Sequence, residues 1–189
     1  MTDKVDERKI LLRRQMRQSL RELEAAQVNR LSSALTLNIL KFFSKHPFTT
    51  IGAFAPLSDE PAIFPELEEK LVERPMAFPK FVDGEMIFVA TSYKELAQGQ
   101  SFGVAINEPA NGPEVVPDGL LIPGLAFDST GARLGRGKGF YDRYLEGKRQ
   151  TKIGVCYDFQ LIEEVPTTDH DQQLDFVITE KRTLPTARR

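Results

Sequence analysis

The side chains best suited to chemistry lie in one glycine-rich stretch, residues 133–144, which reads Arg-Leu-Gly-Arg-Gly-Lys-Gly-Phe-Tyr-Asp-Arg-Tyr. Three glycines alternate there with two cations: Gly135, Arg136, Gly137, Lys138 and Gly139. Because glycine has no Cβ, its backbone N–H groups can approach an anion closely. A helix predicted to begin at Gly139 adds unpaired donors and a positive dipole end. The pattern predicts a phosphate site.

Two other interpretations of this stretch remain open. Its glycine spacing fits neither a Walker A loop nor a dinucleotide fingerprint, so it could be a mobile loop or an Arg-Gly segment that contacts RNA. The apolar pair Phe140 and Tyr141, followed by a helix, argues against mobility. The absence of a basic patch elsewhere in the sequence argues against RNA.

Acidic residues near the predicted loop have a structural and a functional interpretation. Asp142 could complement the dipole of the predicted helix. It could instead bind the Mg²⁺ that accompanies nucleotide phosphates, since this ion is usually held by one or two carboxylates. Asp171, just before the last predicted strand, could be a second such acid, whereas no catalytic role is expected for His170. Asp59 and Glu60 follow the first predicted strand and are either turn acids or site residues.

Bulk properties limit the class of protein. The chain has 189 residues, of which 41% are hydrophobic and 28% are charged, with a net charge of −2. These values predict one folded domain without a broad electrostatic surface for nucleic acid. No apolar run approaches the ~20 residues that span a bilayer, and no signal core is present, so we expect a soluble protein.

The one cysteine, Cys156, reads as a buried thiol, which suits a reducing cytoplasm.

Hydrophobic periodicity and turn residues predict an alternation of helices and strands. Helices are predicted over 3–19, from a Ser19–Glu22 capping box to about 45, over 64–74 and over 139–146. Strands are predicted over 49–55, 76–81, 85–90, 120–122, 151–157 and 174–179, and 96–117 reads as loop-rich. Lys9 and Arg13 are predicted on a solvated face of the first helix. The alternation predicts a single α/β domain.

Residues 121–145 as a whole resemble the signature of the 5-formyltetrahydrofolate cyclo-ligase family, also called the 5,10-methenyltetrahydrofolate synthetases. Four further segments are similar to parts of that family's pattern: 9–13, 58–60, 102–109 and 170–175. The resemblance therefore covers most of the chain and implies one domain over residues 1–189. It implies a Rossmann-like α/β fold of the NagB/RpiA/CoA-transferase type, with a mostly parallel central sheet flanked by helices.

The resemblance also implies an activity: the ATP- and Mg²⁺-dependent conversion of 5-formyltetrahydrofolate to 5,10-methenyltetrahydrofolate, ADP and phosphate. Small molecules are then the partners, with no nucleic acid or membrane, and the expected enzyme is cytoplasmic and monomeric, with an oligomer left open. The rival interpretation is a nucleotide- or phosphosugar-binding α/β protein without catalysis.

Roles for individual residues follow from the same resemblance. Catalytic roles are implied for Arg136, Lys138 and Tyr141. ATP-binding roles are implied for Lys9, Arg13, Arg133, Gly135, Arg136, Gly137, Lys138, Gly139, Phe140 and Tyr141. Folate-binding roles are implied for Ala55, Glu60, Phe140 and Tyr141, and magnesium-binding roles for Asp142 and Asp171. Residues 55–57, Ala-Pro-Leu, depart from the larger residues typical of the family at the pterin side.

Overall fold

The computed structural model describes residues 2–64, 66–72, 74–101, 104–110 and 112–187, with side chains for all of these except 2, 3, 100, 101, 104 and 105. The described helices are α1 (Thr2–Arg21), α2 (Ala25–Lys45), α3 (Glu66–Lys70) and α4 (Phe140–Leu145). The described strands are β1 (Ile51–Gly52), β2 (Met76–Val82), β3 (Glu85–Ala90), β4 (Leu96–Ser101), β5 (Val104–Pro109), β6 (Gly119–Pro123), β7 (Ala126–Phe127), β8 (Arg133–Leu134), β9 (Thr151–Val155), β10 (Phe176–Ile178) and β11 (Thr183–Pro185).

Seven strands form the central sheet, in the order β11-β10-β9-β6-β1-β2-β3. The five inner strands run parallel, and the edge strands β3 and β11 pair antiparallel with their neighbours. The predicted α/β domain with a mostly parallel sheet is therefore confirmed. Two antiparallel hairpins, β4–β5 and β7–β8, lie outside this sheet.

The sheet is buried on both faces, which is why its inner strands are apolar without alternation. Successive side chains of a strand point to opposite faces, and Leu121 packs in a cluster with α1 and α2. Its neighbours Leu120 and Ile122 pack in a second cluster, with Tyr144 and Leu145 of α4. Helices therefore cover both faces, as predicted.

The hairpin between β2 and β3 is confirmed, with Asp83 at φ 51° and Gly84 at φ 85° in its turn. This is the left-handed pair that Asp-Gly turns favour. The β9 and β10 predictions also hold, although both strands are shorter than predicted.

Two predictions about the elements are wrong. Ser19 does not begin a helix, because α1 continues to Arg21. The capping box of α2 is instead formed by Glu24, whose N–H donates to Gln27 Oε1 at 2.9 Å. The stretch 96–117 contains the β4–β5 hairpin rather than only loop; its Phe102 and Gly103, which the family resemblance included, lie outside the described residues.

The first predicted strand and the third predicted helix are shorter than expected, at Ile51–Gly52 and Glu66–Lys70. Pro65 and Glu73 of that predicted helix lie outside the described residues. Among the described helices, none has both the length and the apolar character that crossing a bilayer requires.

Candidate active site

The glycine-rich stretch leaves β8 as an irregular loop and enters α4, with Gly139 as the residue before the first helical position. Gly137 has φ 102° and Gly139 has φ 66°, both in the region that residues with a Cβ rarely adopt. A Cβ on Gly137 would also lie 3.5 Å from Arg13 Cζ. The loop therefore needs these glycines for its backbone path and for the close approach of α1.

A fully buried carboxylate holds the hairpin that leads into the loop. Asp128 accepts hydrogen bonds from the backbone N–H of Thr130 at 2.8 Å, of Ala132 at 3.2 Å and of Val165 at 2.9 Å. A buried carboxylate is tolerated where its oxygens are satisfied in this way. No sequence pattern singled out Asp128 as this anchor.

Helix α1 lies against the glycine loop and places a row of cations there. Lys9 is only 6% exposed, so its predicted position on a solvated face is wrong. Arg13 donates from Nε to the Gly135 carbonyl at 3.0 Å, and Arg17 reaches the Arg136 carbonyl at 3.5 Å. Four-residue spacing puts all three side chains near one stripe of the helix.

The acids predicted to bind magnesium are both ion-paired. Asp142 accepts from Arg133 Nη2 at 3.1 Å on each oxygen, and Asp171 accepts from Lys9 Nζ at 2.5 Å. Burial raises the pKa of Asp171, but the hydrogen bonds from Lys9 and Thr168 outweigh it and lower the pKa overall. The Asp171 carboxylate is thus ionised at neutral pH, and each of the two acids is paired with a cation.

Arg136 makes the densest charge contact of the site. It donates to both oxygens of Asp59, at 2.5 and 3.1 Å, and from Nε to Glu60 Oε1 at 2.9 Å. Burial raises the pKa of Glu60, while Arg136 and the Leu57 N–H act in the opposite direction. These contacts join the glycine loop to the turn after β1, and the Arg136 guanidinium faces two carboxylates.

Lys138 differs from the other cations of the loop. Its side chain is exposed, and among the described residues no acid or acceptor pairs with it. It is therefore the loop cation with the least competition for an incoming anion.

The aromatic pair that opens α4 packs beside these charges. The Arg133 guanidinium lies 5.4 Å from the centre of the Tyr141 ring, and the Phe140 ring lies 4.6 Å from that of Phe81. Burial and the nearby Glu60 raise the pKa of Tyr141 well above its ordinary value. Its hydroxyl is therefore a hydrogen-bond donor at neutral pH.

A cavity of about 480 Å³ brings these groups together. Every site residue expected from the sequence lines it: Lys9, Arg13, Ala55, Glu60, Arg133, Gly135, Arg136, Gly137, Lys138, Gly139, Phe140, Tyr141, Asp142 and Asp171. Its volume is in the range of small-molecule sites. The cavity has a cationic wall from α1 and the glycine loop.

A second part of the lining is apolar, and the sequence did not indicate it. It comes mainly from Phe54, Leu57, Pro79, Phe81, Met86 and Ile106. Most of these residues lie in predicted strands and only Ile106 lies in the stretch that read as loop, but no local pattern showed that their side chains meet at one cavity. Arg17 was also missed, although its position four residues after Arg13 was a usable signal.

The described residues contain no group of three His, Cys, Asp or Glu side chains that could hold a metal ion alone. The donor set does fit a divalent ion that arrives with phosphates. Mg²⁺ is usually held by one or two carboxylates plus phosphate oxygens and water, and Asp142 and Asp171 both line the cavity.

Comparisons with known proteins agree on one family. The sequence model of the 5-formyltetrahydrofolate cyclo-ligase family matches residues 5–180. A 5-formyltetrahydrofolate cyclo-ligase of Mycoplasma genitalium is 31% identical over 184 residues, 94% of this chain and 98% of that protein. One from Mycolicibacterium smegmatis is 48% identical over 67 residues, 34% of each chain.

A solved structure is similar over nearly the whole fold. The Aquifex aeolicus 5,10-methenyltetrahydrofolate synthetase superposes with a TM-score of 0.83 and 29% identity, covering 96% of this chain and 94% of that one. Sequence and fold thus agree over the segments that build the cavity. The chain belongs to the 5-formyltetrahydrofolate cyclo-ligase family.

Proposed function

We propose that this protein closes 5-formyltetrahydrofolate to 5,10-methenyltetrahydrofolate at the expense of ATP, with release of ADP and phosphate. The observation that carries the proposal is that one cavity has both a cationic lining, from α1 and the glycine loop, and an apolar lining. Such a cavity can take a polyphosphate and a flat heterocycle side by side. Membership in the cyclo-ligase family supports this choice of substrates.

The reaction needs activation of the formyl oxygen, which is a poor leaving group. Transfer of the γ-phosphoryl group of ATP to that oxygen gives an iminium phosphate and ADP. N10 then attacks the formyl carbon, and the C–O bond breaks as phosphate leaves and the five-membered ring forms. Phosphoryl transfer depends chiefly on positioning and on neutralisation of charge, so no covalent nucleophile on the protein is required.

The phosphate-binding roles go to the cationic wall. Lys138 is exposed at the cavity without a described partner and is proposed to stabilise the transferring group. Arg13, fixed by its bond to the Gly135 carbonyl, is proposed to bind phosphate oxygens with Lys9 and the loop backbone. Arg133 and Arg136 contribute charge and hold acids in place.

The folate-binding roles go to the turn after β1 and to α4. Ala55 and Glu60 line the cavity beside the apolar wall, and Glu60 is fixed by Arg136. We propose that Glu60 accepts hydrogen bonds from the pterin, and that Phe140 and Tyr141 contact the substrate next to the transferring phosphate. The protonated hydroxyl of Tyr141 can donate to a substrate oxygen.

Magnesium is proposed to enter with ATP, and Asp142 and Asp171 would hold it. When bound, it supplies further neutralisation of the β- and γ-phosphates. Direct coordination would require Asp142 to loosen its contact with Arg133, or Asp171 its contact with Lys9. Contact through bound water would leave both ion pairs in place.

We further propose that the enzyme works in the cytoplasm as a monomer on small molecules alone. The completely buried Cys156, whose pKa is raised by burial, fits a thiol that stays reduced and unreactive. Size-exclusion chromatography with light scattering would test the monomer.

The decisive experiment is an absorbance assay. Purified protein with 5-formyltetrahydrofolate, ATP and Mg²⁺ should develop the near-ultraviolet absorbance of the methenyl product, with one ADP formed per product. Omission of ATP should abolish the signal. ATP binding without any product would favour the non-catalytic nucleotide-binding alternative, and the absence of both would contradict the proposed function outright.

A further inference from the structure

Arg136 joins two acids that line different cavities. A second cavity has a volume of about 510 Å³ and shares three lining residues with the first: Leu57, Ile106 and Asn107. Asp59 lines only the second cavity, whereas Glu60 and Arg136 line only the first. Arg136 donates from Nε to Glu60 Oε1 at 2.9 Å, and from Nη1 and Nη2 to the two Asp59 oxygens at 3.1 and 2.5 Å. The terminal nitrogens of this guanidinium are therefore bound to an acid outside the first cavity.

The Arg136 guanidinium is shared between acids. The other ion-paired cations of the first cavity, Lys9 and Arg133, each pair with one acid among the described residues. Arg136 pairs with two, and its contact with Asp59 is the bidentate one. Two parallel N–H···O bonds between an arginine and a carboxylate are stronger than one. Asp59 is therefore the main competitor of an incoming phosphate for this guanidinium.

The turn that carries the two acids is fixed by hydrogen bonds of its own. The Leu57 N–H donates to Glu60 Oε2 at 3.0 Å, and the Glu60 N–H donates to the Leu57 carbonyl at 3.0 Å. The Ala62 N–H donates at 3.1 Å to Oγ of Ser32, a buried residue of α2. The acids therefore stay in place, and the long side chain of Arg136 is the part of the cluster that can exchange partners.

Glu60 depends on the same guanidinium. Its side chain is buried, and burial raises the pKa of this carboxyl. Arg136 opposes the effect of burial through its charge and its hydrogen bond. If the guanidinium turned towards a phosphate, the Glu60 carboxylate would be protonated more readily and would lose capacity as a hydrogen-bond acceptor. The position of Arg136 thus affects both the cationic lining and the acid of the first cavity.

We propose that Asp59 is a positioning residue that holds Arg136 against Glu60 and away from the phosphates of the nucleotide. This inference rests on the proposed function, because it takes a folate and ATP as the ligands. Asp59 lines a different cavity and acts through Arg136 alone. It thereby keeps Glu60 ready for the folate and weakens the binding of the nucleotide.

The test measures the affinity of Asp59→Asn for each ligand alone, 5-formyltetrahydrofolate and Mg-ATP, by isothermal titration calorimetry. Asparagine has no charge and offers one acceptor oxygen in place of two. We expect the Kd for 5-formyltetrahydrofolate to rise about tenfold and the Kd for Mg-ATP to fall about threefold. Damage to the fold would weaken the binding of both ligands, so shifts in opposite directions separate positioning from stability.

A double-mutant cycle shows whether Asp59 acts through Arg136. In an Arg136→Gln background, Asp59→Asn should change neither Kd, because the contact between the two side chains is already absent. The matched control is Asp83→Asn, since Asp83 is exposed in the β2–β3 turn and lines neither cavity. Asn-Gly also favours this type of turn, so both Kd values should stay at those of the wild type.

Three results would overturn the inference while leaving the proposed function intact. The first is a Kd for 5-formyltetrahydrofolate that does not rise in Asp59→Asn, and the second is a Kd for Mg-ATP that does not fall. The third is an effect of Asp59→Asn that persists in the Arg136→Gln background. Failure of the wild-type protein to bind either ligand would instead contradict the proposed function.

Discussion

The cations around the glycine loop divide into two kinds. Arg133 and Arg136 hold acids, at 3.1 Å to Asp142 and at 2.5 to 3.1 Å to Asp59 and Glu60. Lys138 is exposed and pairs with no described acid. Arginine's planar fork suits fixed bidentate contacts, whereas lysine is a mobile point charge. The two arginines therefore organise the loop, and the exposed Lys138 suits the phosphate-binding role proposed for it.

Lys138→Ala should lower kcat/KM about 100-fold or more, in the range seen when one donor to a developing charge is removed. The fold should remain, because this side chain supports no described contact. The absorbance assay gives the rate, and circular dichroism with a thermal melt gives the folding state.

Lys70→Ala is the matched control, since Lys70 is an exposed lysine at the end of α3 and lines neither cavity. Turnover of Lys138→Ala close to that of this control would remove Lys138 from the catalytic machinery.

Much of the site could be found from residue types, but the pairings inside it could not. Gly135, Gly137 and Gly139 with Lys138 indicated an anion site from local spacing alone. The contacts of Arg136 with Asp59 and Glu60 join positions 76 and 77 residues apart, and such contacts depend on sheet order rather than on local pattern. The family resemblance brought Glu60 and Asp171 into the site without showing their partners.

At the scale of elements, the C-terminal strands depend on one carboxylate. Asp158 follows β9 and accepts from Arg182 Nε at 2.7 Å and Nη2 at 2.8 Å, and from Thr179 Oγ1 at 3.0 Å. It thereby ties the end of β9 to the turn between β10 and β11. The hydrogen bonds from Arg182 lead the effects that bring the pKa of Asp158 to about 2.

Asp158→Asn should lower the free energy of unfolding by about 1 to 2 kcal/mol at pH 7. The folded-state pKa of Asp158 lies below the ordinary aspartate value of 3.8. The ionised carboxylate therefore contributes fully to the free energy of unfolding above pH 3.8, and this contribution is lost as the pH falls towards 2. The difference in free energy of unfolding between Asp158→Asn and the wild type should therefore shrink as the pH falls from 3.8 towards 2. Urea unfolding at several pH values measures it.

Glu163→Gln is the control, because Glu163 is exposed and makes no described ion pair. If the Asp158→Asn difference stayed constant from pH 5 to pH 2, the ionised carboxylate would not be its cause.

The elements that could be predicted are those with strong local signals. Helix α1 has good helix formers and the β2–β3 turn has Asp83-Gly84, so both were found. The β4 strand, Leu-Ala-Gln-Gly-Gln-Ser, has no β-branched or aromatic residue, and pairing with β5 overrides its weak propensity. Ser19 matched a capping pattern, but the packing of Met16 and Leu20 in the core keeps the helix intact there.

At the scale of the whole molecule, the first cavity draws on α1, the turn after β1, the edge hairpin β2–β3, the β4–β5 hairpin and the glycine loop. A ligand that touches so many elements stabilises the folded state as a unit. A site of this kind couples binding to global unfolding through mass action.

Mg-ATP at about 100 times its Kd should stabilise the fold by about 2.7 kcal/mol. For a chain of this size, that corresponds to a rise in Tm of about 5 to 10 °C. Differential scanning fluorimetry with and without nucleotide measures the shift. Magnesium chloride alone is the control, and an equal shift with it would mean that the nucleotide does not bind the native state.

The contact of Lys9 with Asp171 spans 162 residues, almost the whole length of the chain. A ribosome releases the first of these residues long before the second. A nascent chain that already contains α1 and β1 therefore still lacks the partner of Lys9, and the cavity that both residues line is incomplete. Completion of this part of the cavity is in this way tied to the synthesis of residue 171, so a chain that ends before that residue lacks the contact that fixes Lys9.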